Sequence, residues 1–218
     1  MSGKTLQFRS IPINGGVHRD LTWFADTLQS AVGIRFVDAQ RWTDADADFV
    51  GWTNASNSGL AFVYAGNGFC YQLTPSLGKL TVDTFFRELL AILSLIHHIA
   101  TMPSPPLKVL IYSDSLDSIH VMNSLYARES SHNSILLAIA GVVLNTGIDL
   151  RVRHIPGKEN IRADLLSRLL LEDFKLQFPS YCVRFFDRPR DLLPAQWRGQ
   201  GRTFKDQFSV MNEREDGK

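Results

Sequence analysis

The chain has 218 residues and a mass of 24.5 kDa, enough for one ordinary domain with extensions or for two small ones. Hydrophobic residues make up 44% and charged residues 21%, which excludes wholesale disorder. The net charge of +1 hides an asymmetry: residues 1–150 hold 9 Lys+Arg against 12 Asp+Glu, net −3, whereas residues 151–218 hold 14 against 10, net +4. A mildly acidic body with a basic C-terminal portion suits metal in one place and phosphate in another, and equally suits a solvated tail.

The longest apolar stretch, Leu89–Ala100, is interrupted by Ser94, His97 and His98 and is shorter than the roughly 20 residues a bilayer span requires. No membrane partner is expected. No basic-then-apolar leader follows Met1, so an intracellular location is expected. Cys70 and Cys182 can make neither a disulfide framework nor a four-thiolate zinc site and are read as reduced and inert.

Residues 1–19 contain Pro12, Gly15 and Gly16 and read as a lead-in. A short helix follows, capped by Asp20, with Leu21, Phe24 and Leu28 on one face and Gly33 closing it. From Thr43 the sequence alternates, and a strand is predicted over Asp48–Ala55. Asn57, Ser58 and Gly59 make a turn into a second strand, Leu60–Ala65. A third, Phe69–Thr74, follows the turn Gly66-Asn67-Gly68. These three form an antiparallel meander.

Thr81–Ala100 reads as a long helix with Phe85, Leu89, Ile92, Ile96 and Ile99 along its core stripe. The run Val109-Leu110-Ile111 fits a central strand buried on both faces. Helices follow near Leu116–Tyr126 and Asn133–Asn145, then a strand over Asp149–His154. A last helix, capped by Asn160, runs to about Leu171. Phe178–Arg198 is rich in aromatic, Arg and Pro residues and has no period. The fold class expected is α/β: a mixed five-stranded sheet, three antiparallel strands and then parallel ones, flanked by helices, with right-handed crossovers.

Four positions suggest chemistry. Asn54 lies near the end of the first strand. Glu88 borders the apolar stripe of the long helix, where a carboxylate is costly unless paired or bound to a cation. Asp114 ends the buried strand, where α/β sheets bind ligands, and Asp164 is in the first turns of the last helix. Each acid alone is equally a cap, an ion pair or a solvated turn residue. Together they would repel one another unless Mg²⁺ or Mn²⁺ were present.

The run from Arg153 to Arg168, with its Pro156-Gly157 turn, Asn160, Ala163-Asp164 and closing Leu166-Ser167-Arg168, resembles the last motif of retrotransposon ribonuclease H domains, most closely those of tyrosine-recombinase and gypsy-like polyproteins. Trp52–Ser56 is similar to the family's first strand, and the Glu88 helix and Tyr112–Ser115 match its second and third motifs in order. The resemblance covers about 48–171. It implies a ribonuclease H-like fold that cuts the RNA strand of an RNA–DNA hybrid with two divalent ions, Mg²⁺ or Mn²⁺, about 4 Å apart. Glu88, Asp114 and Asp164 would be ligands and Asn54 would stand at the bridging position, so these four are the candidate catalytic and metal residues. Residues 1–47 resemble the remnant of a connection to an upstream reverse transcriptase, a further expected partner, and 172–218 would be a basic and aromatic extension.

The family carries Asp where this chain has Asn54. One neutral carbonyl oxygen replaces two anionic ones, so both ions should be weakened and hydrolysis impaired. A decaying retroelement copy or a deliberate substitution would each leave this residue. Asp48 is six residues away, about 20 Å along an extended strand, and cannot substitute; Asp117, one turn beyond Asp114, is a weaker candidate. Lys158 stands in the loop where many members have histidine. Ser56, Asn57, Arg153, Lys158, Asn160 and Arg162 are the candidate nucleic-acid contacts. A second reading is an inactive scaffold that keeps the fold to bind nucleic acid or protein. A transposase or integrase is disfavoured because Glu88 precedes Asp114.

Overall fold

The structure is a computed structural model and describes residues 13–31, 42–73 and 83–187. Helix α1 (Gly15–Ser30) is followed by strands β1 (Phe49–Ala55), β2 (Gly59–Tyr64) and β3 (Asn67–Gln72) and by helix α2 (Thr84–Ala100). Strand β4 (Lys108–Ser113) leads into α3 (Leu116–Ser124) and α4 (Ser130–Thr146). The chain continues through β5 (Asp149–His154), α5 (Ile161–Ser167), α6 (Leu171–Gln177) and β6 (Cys182–Phe185).

The sheet order is β5-β4-β1-β2-β3-β6. Strands β1, β2 and β3 pair antiparallel, whereas β1–β4, β4–β5 and β3–β6 pair parallel. The expected α/β class and order of pairings are therefore present, with six strands instead of five. The sixth comes from the segment in which no period was legible. Its four residues alternate between exposed Cys182 and Arg184 and half-buried Val183 and Phe185, too short a run for periodicity to register.

Strand β2 shows why the middle of the sheet is apolar throughout. Leu60 and Phe62 face a core built with Leu89, Ile92 and Ile96 of α2, Ile135 and Ile139 of α4, and Val109 and Ile111 of β4. Ala61 and Val63 face the other way, onto Cys70, Ala163, Leu166 and Phe174. Both faces of the sheet are thus covered, the condition under which strands lose their polar alternation. Burial pushes the Cys70 thiol up to about 12, and both cysteines are free, consistent with the inert role expected for Cys70. His98 hydrogen-bonds the Tyr64 hydroxyl at 2.9 Å and packs against Phe62 and Phe69, an ordinary structural use.

Two caps differ from expectation, one in position and one in bonding. Helix α1 begins at Gly15 because Asn14 caps it, accepting from Val17 N at 2.9 Å; Asp20 lies within the helix. Asn160 is the N-cap residue of α5, as expected, and its carbonyl accepts from Asp164 N at 3.0 Å, but its side chain makes no cap bond: Nδ2 donates instead to Thr53 O at 2.9 Å. The last helix is also two helices, broken at Arg168–Leu170, where Leu169 adopts a φ of +60°. Thr81, Gly33, Thr74 and the aromatic and arginine residues from Arg188 onward lie outside the described residues. Among the described residues no helix is long and apolar enough to cross a membrane.

Candidate functional site

The parallel pairing of β1 with β4 sets Trp52 opposite Tyr112, so the residues that follow, Asn54 and Asp114, emerge side by side at the same rim. Asn54 is only 3% exposed. Its Nδ2 donates toward both Asp114 carboxylate oxygens at 3.4 Å, and its Oδ1 accepts from Ser167 Oγ at 3.1 Å. Ser167 is the last residue of α5 and its Oγ also lies 2.9 Å from the Asp164 carbonyl oxygen, which ties the end of that helix to the same spot. The turn after β5 closes over it: a Cβ on Gly157 would stand 3.2 Å from Asp114 Oδ2.

Glu88 approaches from α2. Its Oε1 accepts from Ala55 N at 3.0 Å, while its buried Oε2 has no hydrogen-bond partner. Burial raises the Glu88 carboxyl from an ordinary 4.5 to about 8, against the lowering effect of the Ala55 N–H; the charges of Asp114 and Asp164 push it further up. The four candidate positions are thus within electrostatic or hydrogen-bonding reach of one another. Asp48 is at the other end of β1, accepting from Lys108 N at 2.9 Å, and Asp117 is exposed in the first turn of α3.

One glutamate and two aspartates are the oxygen donors that Mg²⁺ or Mn²⁺ takes, and an orphaned Glu88 Oε2 is an atom a cation would satisfy. The rest of the arrangement opposes it. Asn54 turns N–H donors, not lone pairs, toward Asp114. Arg168 Nε holds both Asp164 oxygens at 2.8 and 3.0 Å. Among the described residues no three His, Cys, Asp or Glu side chains gather closely enough to hold an ion. As placed, these residues do not fit a two-ion centre.

The candidate nucleic-acid contacts divide into two groups. Arg153 and Lys158 are exposed, Arg153 with a loose ion pair to Asp44 at 3.5 Å, and Asn57 is exposed and accepts from Arg87. Ser56 and Asn160 are engaged inside the fold. Ser56 Oγ donates to Ser167 O at 2.7 Å and accepts from Ser58 N and Gly59 N, and Asn160 is 2% exposed. Arg162 is half-buried, donates to the Tyr181 hydroxyl at 2.6 Å and lies over the Trp52 ring. In the sequence reading Ser167 and Arg168 only close the motif and are not among the candidate site residues, yet both bear directly on the site. The signal available was their spacing, three and four residues after Asp164 and so on its helix face.

No family model and no curated protein matches the chain. Among solved structures it is similar to RNase H1 from the halophilic archaeon Halobacterium salinarum NRC-1, at 16% identity over 57% of this chain and 98% of that one, with a TM-score of 0.41. LC11-RNase H1, isolated from compost by a metagenomic approach, gives 20% identity over 57% and 96% of the two chains and a TM-score of 0.45. The same enzyme in complex with an RNA/DNA hybrid gives 17% over 54% and 92%, with a TM-score of 0.43.

Proposed function

We propose that this chain carries a ribonuclease H-like domain of retroelement origin, akin to those of tyrosine-recombinase or gypsy-like polyproteins, which binds RNA–DNA hybrids and hydrolyses them poorly or not at all. The observation that carries this reading is the Asn54–Asp114 contact. A shared metal ligand must present lone pairs, whereas Asn54 directs an amide N–H at the neighbouring carboxylate and so supplies from the protein some of the positive potential an ion would bring. Arg168 does the same for Asp164. Mg²⁺ or Mn²⁺ is the ancestral cofactor, and its binding here is weak.

Residues 48–171 form the domain proper and 172–218 an extension, of which α6 and β6 join the same sheet and core. Hybrid contact falls to Arg153, Lys158, Arg162 and Asn57, while Ser56 and Asn160 position β1 and the turn after it. Residues 1–47 are the connection from an upstream reverse transcriptase. The apolar side chains Val17, Leu21, Phe24 and Leu28 of α1, all exposed, support a neighbouring domain as their partner.

The direct test is cleavage of a labelled hybrid in Mg²⁺ or Mn²⁺ by the chain and by Asn54→Asp. Near-zero turnover rescued by the aspartate supports the reading, and an ordinary rate without it overturns it. The scaffold reading is favoured by the same contacts, Asn54 to Asp114 and Arg168 to Asp164. Indifference to hybrid at low salt, with a stable protein complex instead, would decide for it.

A further inference from the structure

Two residues back from Asn54 and Asp114, on the same side of the sheet, the register aligns Trp52 of β1 with Tyr112 of β4 and Tyr112 with Arg153 of β5. This row lies about 7 Å from the Asn54–Asp114 pair. The Trp52 and Tyr112 rings are stacked, with centroids 5.8 Å apart and planes 22° from parallel. On the far side of Trp52 stands Arg162, its guanidinium 5.5 Å from the ring centroid. The row therefore reads guanidinium, indole, phenol, guanidinium, from α5 across to the edge strand.

Trp52 packs on its inner side against the core cluster of Ala61, Val63 and Leu166, yet the row is not closed over as its neighbours are. The adjacent Leu110 is 1% exposed, and the next row is closed by Trp42, 4% exposed, which stacks under the Arg151 guanidinium at 3.9 Å. Trp52 and Tyr112 are only half-buried, and Arg153 is exposed. Arg162 is held in place by the Tyr181 hydroxyl, so its position is set before any ligand arrives.

We propose that the Arg162–Trp52–Tyr112–Arg153 row is a binding strip for an unpaired stretch of nucleic acid adjoining the hybrid; the inference rests on the functional reading above and deepens it. Both faces of Trp52 are taken, by Tyr112 and by Arg162, so the base falls to the face of Tyr112 turned away from Trp52, while the flanking guanidiniums accept phosphates, the combination by which proteins hold single strands. The bases of a hybrid already stack on one another, so the rings have nothing to take from a blunt duplex. A single-stranded extension supplies both groups and runs directly into the rim of Asn54 and Asp114.

The test compares dissociation constants for a blunt RNA–DNA hybrid and the same hybrid with a short single-stranded extension, of RNA in one arm and of DNA in the other, at two salt concentrations. The unaltered chain should bind at least one extended hybrid about tenfold tighter than the blunt one. In Tyr112→Leu and Trp52→Leu that ratio should fall toward one. In Arg153→Gln, at an exposed position, the salt slope for the extended hybrid should fall by about one more than that for the blunt hybrid. Thermal melting verifies that each variant is folded, and Arg153→Gln keeps the test decisive if the ring variants do not fold. Equal binding of blunt and extended hybrids, or an unchanged ratio and salt slope in folded variants, overturns the strip alone. Failure of the unaltered chain to bind any hybrid overturns the strip and the functional reading together.

Discussion

Asn54 Nδ2 stands 3.4 Å from each carboxylate oxygen of Asp114, so the residue at the first-strand position is a donor to its neighbour instead of a second acceptor. Most of what distinguishes this site from a metal centre follows from that change of polarity at one atom.

Replacing Asn54 with Asp puts two carboxylates face to face beside the buried Glu88. The variant should lose about 1–3 kcal/mol of stability in the presence of a chelator, because a buried donor contact becomes a like-charge contact. Millimolar Mn²⁺ should restore much of it. The unaltered chain should melt at the same temperature with chelator or with Mn²⁺. Differential scanning calorimetry under the two conditions measures both effects, and a chelator-sensitive melting point for the unaltered chain would contradict the weak metal binding proposed for this site.

Glu88 sets a pH dependence with a definite sign. Its folded-state carboxyl is raised from 4.5 to about 8, chiefly by burial. The folded protein therefore binds more protons than the unfolded chain between those values, and stability falls as pH rises through that window. Its contribution is fully present below about pH 4.5, and the slope is bounded by about 1.4 kcal/mol per pH unit. In metal-free urea denaturation, Glu88→Gln should flatten the profile between pH 5 and 8. If that substitution leaves the original slope in place, the titrating group lies elsewhere.

Phe174 is fully buried on α6, against the sheet face that carries Cys70 and Val63. Phe174→Ala should cost about 3–5 kcal/mol, read from denaturant midpoints at constant slope. Truncation after Leu171 removes that ring together with β6 and should be at least as damaging. A domain that melts normally without them would show that the extension merely rests on the sheet.

Gly59 opens β2 where three pieces of backbone meet. A Cβ there would stand 2.5 Å from Tyr71 O and 2.9 Å from Ser167 O, and neither backbone atom can yield as a flexible side chain would. Gly59→Ala should destabilise by about 1–3 kcal/mol. It should also push Ser167 away from Asn54, visible as a shift of the Asn54 side-chain amide resonances in NMR.

Much of the architecture was legible because burial writes a period into the chain. The stripe of α2 and the apolar run of β4 follow from one-sided and two-sided burial, and Asp149–His154 was located residue for residue. The features missed are those held by a single distant partner. Asn160 stands at the N-cap of α5 as read, yet its side chain reaches Thr53 O across 107 residues instead of the helix. The break at Leu169 and the strand β6 are short, and nothing within them repeats.

By itself the sequence determined the α/β order, the core stripe of α2, the two-sided burial of β4, and the presence of an amide, Asn54, near the end of β1. Only the tertiary structure decided what that amide does: it faces Asp114, takes a hydrogen bond from Ser167, and leaves Glu88 Oε2 without a partner. The reason is physical. Periodicity reports which side of an element is dry, whereas the direction of a hydrogen bond depends on atoms brought together from β1, β4 and α5, separated along the chain by 60 and 113 residues.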